Sequence, residues 1–168
     1  MAKKMKKSNN LGLILSGAAV LFALAAVCMM FVKSIDYVVG ENVLVSFTGM
    51  QVAFGYSEKA TILGSTLTTK ILSFSFMNLL PYLLALAGGV LALLNALGKN
   101  KFLTNVISLG LFVAAAIFFF TAPAYVVTAS EAVNTYAKDG FTLAIGSILS
   151  GVFSAVSAFC LVAKILVK

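Results

Sequence analysis

Four serines recur along the last apolar stretch of the chain, at Ser147, Ser150, Ser154 and Ser157. Spacings of three and four put them on one face of a helix, and Gly151, Ala155 and Ala158 widen it. Such hydroxyls bond their own i−4 carbonyl or a neighbouring helix, or they line a polar path for a solute. Close packing is the expected use of this face, and pore lining is its alternative. Asn78 and Pro81 form a second polar irregularity. Pro81 has no N–H, so the carbonyl of Met77 loses its helical partner and a kink is expected there. Asn78 stands ready to satisfy a freed backbone group. A kink beside a polar residue can mark a gate; an accommodated irregularity near the outer surface is the preferred reading, and Pro123 is read the same way.

Other chemistry is missing from the sequence. There is no His, which removes imidazole acid–base work and most zinc sites. No Asp, Glu or Lys falls inside the four apolar runs, so the buried acids of proton-coupled transport are absent. No G-x-x-x-x-G-K-[ST] phosphate loop occurs. The serines have no base in the same apolar surroundings to activate them. Cys28 is expected towards the outer leaflet and Cys160 towards the inner, too far apart to bond. The expectation is a chain that is not an enzyme, with no catalytic residue, metal or cofactor.

The elements that carry these residues follow from composition. The 168 residues are 61% hydrophobic and 10% charged, where a soluble domain carries about a quarter charged residues. So large an apolar excess exceeds what a core of this size can enclose. Lipid is the expected solvent. Four uncharged runs are each long enough to cross a bilayer as a helix: 11–32, 71–97, 102–127 and 141–163. The fold class expected is an all-α membrane protein, a four-transmembrane-helix bundle in one domain spanning 1–168. Small residues mark further packing seams at Gly12, Ser16, Ala19, Ala23 and Ala26 in the first run. Ala85, Gly89 and Ala92, beside Gly88, do the same in the second.

Charge sets orientation. Lys3, Lys4, Lys6, Lys7, Lys99, Lys101, Lys164 and Lys168 lie on one side with no acid, while all five acids lie on the other. The positive-inside rule makes the lysine side, with both termini, cytoplasmic. The net charge of +7 thus belongs to topology, and no nucleic-acid partner is expected. The chain uses Lys to the exclusion of Arg, which fits a bacterial plasma membrane. Cleavage of the first run as a signal peptide is the alternative there. That run is longer than the usual h-region of about 7–15 residues, so a retained span is expected.

The first outer loop, 33–70, is the one connection long enough to fold. Val43–Phe47 and Met50–Tyr56 are β-prone around Thr48-Gly49, and a hairpin over 43–56 is expected, with Val45 opposite Val52 and Val43 opposite Phe54. Val43, Val45, Phe47, Val52, Phe54 and Tyr56 then share one face, resting on the outer helix ends, the second outer loop or a partner. Ser57 is expected to cap a helix leading into the second span. The second loop, 128–140, is read as a solvated connection. This layout resembles the claudin-like tetraspans in topology alone. Their W-GLW-C-C outer-loop signature is missing, since the chain has no Trp and no outer-loop Cys, so no residue role is carried over.

The function expected is that of a non-catalytic tetraspan scaffold or accessory subunit. Its partners are the bilayer and a membrane protein or further copies of itself, met through the outer loop and the small-residue helix faces. The alternative is an oligomeric channel or transporter for a small uncharged solute or lipid.

Overall fold

In the computed structural model, residues 2–62, 65–97, 102–129 and 138–167 are described. Four helices are long and apolar enough to span a membrane: α1 (Ala2–Cys28), α3 (Phe76–Ala96), α4 (Phe102–Phe120) and α5 (Ile145–Val167). Between α1 and α3 lie β1 (Lys33–Val39), β2 (Asn42–Thr48), a short helix α2 (Gly49–Phe54), β3 (Tyr56–Ile62) and β4 (Ser65–Leu72); β5 (Phe141–Leu143) precedes α5. The chain forms a four-helix bundle with a β-rich cap at one end, here the sheet end. The other end is the terminus end.

α1 packs on α3 and α5, and α4 packs on the same two. Small residues set these distances. A methyl at Gly89 would lie 3.0 Å from the Cβ of Ala23, and one at Gly88 would lie 3.0 Å from the Phe112 ring. Ala19, Ala23, Ala26, Ala85 and Ala92 are buried along the same seams.

The helices depart from the hydropathy bounds at their sheet ends. α3 begins at Phe76 because Ile71 and Leu72 are spent in β4, and Ser75 caps it by accepting from the N–H of Asn78. α4 stops at Phe120, before a 3-10 turn over Ala122–Tyr125 that contains Pro123. The residue before a proline avoids the α region, so the helix ends ahead of it. Phe141–Leu143 leaves the fourth span to pair with β1, and α5 continues to Val167 instead. Hydropathy sees apolar residues and cannot tell a buried strand from the helix that follows it.

The hairpin expected over 43–56 does not form. β2 pairs backwards with β1, Tyr37 opposite Val45 and Val38 opposite Val43, in a three-stranded sheet of order β2–β1–β5. Gly40 at φ +63° turns the chain between the Val39–Asn42 pair, the short turn that suits a twisted hairpin. Thr48-Gly49, assigned to the tip, starts α2. The Thr48 N–H donates to Gln51 Oε1 at 2.9 Å and the Gln51 N–H donates to Thr48 Oγ1 at 3.3 Å, a reciprocal capping box. Gly55, at φ +90°, ends that helix. The helix expected from Ser57 is strand β3, paired antiparallel with β4. The β-branched threonines and isoleucines of the two strands favour that pairing.

The cap has its own core. Ile35, Phe47, Val52, Leu72, Ala122, Val126 and Phe141 bury together, flanked by Tyr37, Tyr56, Ile71 and Leu143. Of the apolar loop residues, Phe47, Val52 and Tyr56 thus rest on the helix ends and the start of the second loop. That loop is more than a solvated connection, since Thr128 bridges to Leu72 and the N–H of Ala129 donates to the carbonyl of Ile71 at 3.0 Å. Its residues 130–137 and the Lys99–Lys101 turn lie outside the described residues.

Candidate functional site

The serine face of α5 is turned into the bundle. Ser150 Oγ donates to the carbonyl of Ala26 at 3.1 Å, and Ser157 Oγ donates to those of Ala19 at 3.1 Å and Phe153 at 2.9 Å. Ser147 hydrogen-bonds Ser34 at the head of β1. Ser154 Oγ is buried with no hydrogen-bond partner. Gly151 faces α4, where a methyl would lie 2.8 Å from the Phe120 ring. The serines therefore meet the small seam of α1 at short range. The acceptors of Ser150 and Ser157 are carbonyl oxygens, which hold a hydroxyl in place and cannot take its proton.

Asn78 and Pro81 sit in the first two turns of α3, both buried. Asn78 Nδ2 donates to Ser75 Oγ at 3.1 Å, and Ser75 Oγ donates to the carbonyl of Tyr125 at 2.7 Å. Asn78 thus helps to tie the start of α3 to the end of α4. Beside them is a small cavity lined by Ser34, Gly49, Asn78, Pro81, Tyr82 and Ser147 among others. It has room for about one water molecule. Tyr82 fits under α2 because Gly49 carries no side chain, and a methyl there would overlap the Tyr82 hydroxyl.

A second polar cluster lies at the terminus end and was missed by hydropathy. Lys164, assigned to the tail, is 5% exposed within α5, and its Nζ donates to Asn105 Oδ1 on α4 at 3.3 Å. Asn95, 3% exposed near the end of α3, has neither side-chain polar atom paired. A signal for Lys164 was present, because Ser150, Ser154, Ser157, Leu161 and Lys164 continue one three-and-four repeat.

The six loop residues separate into four environments. Phe47 and Val52 are in the cap core, and Tyr56 is half-buried against it. Val43 and Val45 stand at the tip of the β1–β2 hairpin, 54% and 46% exposed, with Leu44 between them at 59%. Leu44 is the unpaired residue where the register shifts, a bulge on the edge strand. Phe54 is 54% exposed at the base of the cap, beside Phe74.

Comparison of the chain with known protein families, curated proteins and solved structures returns no match. The arrangement itself carries the functional argument. Among the described residues no group of three His, Cys, Asp or Glu side chains gathers. The bundle's described polar side chains mainly join helix to helix. Among the described residues, the hairpin tip is an exposed apolar feature of the cap that joins no core cluster.

Proposed function

We propose that the chain is a non-catalytic tetraspan scaffold or accessory subunit of the plasma membrane, with both termini cytoplasmic, and that it holds a partner through the β1–β2 tip. The observation that carries this is the exposure of Val39, Val43, Leu44 and Val45 together at the end of the β1–β2 hairpin. Apolar side chains clustered outside any core are commonly an interaction surface. The bulge at Leu44 disfavours simple strand addition, so recognition runs through side chains.

The small-residue faces drop out of the contact surface, because the bundle uses them itself. The alternative of a solute channel is weakened by the same fact, since all four serines are buried between helices and the hydroxyls of Ser150 and Ser157 bond carbonyls of α1 and α5. A photo-crosslinker at Leu44 in native membranes is expected to trap one partner protein or a second copy. With the crosslinker kept at position 44, changing Val39, Val43 and Val45 together to Ser is expected to abolish the trapped complex. Unchanged assembly after that replacement removes the proposal.

A further inference from the structure

We propose that α2 is an interfacial anchor, whose Met50–Phe54 face rests with Phe74 and Phe76 in the boundary between headgroups and acyl chains at the sheet end. This inference rests on the bundle being membrane-embedded and is independent of the hairpin tip.

The level of α2 is fixed at both ends. The N–H of Gly49 donates to the carbonyl of Val32 at 3.3 Å, just beyond the last turn of the α1 segment. The N–H of Ser75, the cap of α3, donates to the carbonyl of Ala53 at 3.0 Å. α2 is therefore strapped across the sheet-end limits of two apolar helices, where a bilayer's surface falls if those helices cross it.

Its two faces are unlike. Gly49, Val52 and Ala53 are buried against the protein. Met50 and Phe54, four residues apart and so on one face, are 47% and 54% exposed. The Phe54 ring lies 6.4 Å from that of Phe74, and Phe76 opens α3 with its side chain exposed. Phe74 and Phe76 lead directly into α3, where Leu86 is exposed at mid-helix. α2 has no charged residue, and its one polar side chain, Gln51, is turned back to the Thr48 N–H. Nothing on the outward face resists transfer to an apolar boundary, and aromatic residues favour that depth.

The chain has no Trp, so a single introduced Trp is its own reporter. The full-length chain carrying Phe54→Trp is reconstituted in phosphatidylcholine vesicles whose acyl chains are brominated near the headgroup, and emission is read against unbrominated vesicles. Leu86→Trp reports the bilayer itself with bromines deep in the chain. The expected result is loss of most emission for both. Met50→Trp, one turn earlier on the same face, is read in the same way should Phe54→Trp fold poorly. Quenching of Leu86→Trp with neither α2 reporter quenched overturns the anchor and leaves the membrane reading intact. If no reporter is quenched, both fall.

Discussion

The Lys164 side chain is a buried donor whose Nζ meets the amide oxygen of Asn105. Asn105→Leu removes an acceptor from that buried donor and is expected to destabilise the bundle by about 1–3 kcal/mol. Replacing both partners together, Lys164→Met with Asn105→Leu, is expected to restore much of that loss, because an apolar pair leaves neither polar group of the bond buried. Unfolding titrations in mixed micelles measure both. A double variant no more stable than Asn105→Leu would show that the pair is not coupled. The serine face allows a similar comparison. Ser150→Ala is expected to cost about 0.6 kcal/mol, a typical hydrogen bond between membrane helices. Ser154→Ala removes a hydroxyl that bonds nothing and is expected to be neutral or slightly stabilising. At this scale the serine seam was legible, because a repeat of three and four needs only helicity to become a face. Lys164 was misplaced because a charge near the end of an apolar run reads as an anchor. Inside the bundle it meets Asn105, a residue 59 positions away that no local pattern pairs with it.

Among elements, the four long helices were readable and the cap was not. Length and apolarity alone identify a spanning helix, whereas the partner of a strand depends on competing turns. Val43–Phe47 had two possible partners, one on each side in sequence. Gly40 at positive φ favoured β1, and the Thr48–Gln51 capping box withdrew Met50–Phe54 into a helix. Both devices can be tested. Gly40→Val forces a β-branched residue into the left-handed region and is expected to destabilise the cap by about 1–3 kcal/mol. Thr48→Ala is expected to cost about 1 kcal/mol through loss of the cap. Hydrogen exchange is the measurement, with faster exchange in 33–48 for the first variant and in 49–55 for the second. Uniform protection in either would show that the turn or the cap is not what sets the pairing. The six loop residues followed their elements: the face imagined for one hairpin became part core, part tip and part collar.

For the molecule as a whole, the proposed topology fixes which segments a protease meets. Trypsin added outside intact cells is expected to spare the Lys99–Lys101 turn and to cleave it in inverted vesicles. Cleavage from outside would reverse the orientation. The sheet adds a mechanical consequence. β1 follows α1 after a single 3-10 turn, β5 runs into α5 through Ala144, and the two strands pair from Ile35–Leu143 to Tyr37–Phe141. Their helices also pack against each other. If the hairpin tip holds a partner as proposed, a tilt imposed there would turn α1 and α5 together, because the β1–β5 pairing and the helix contact join them.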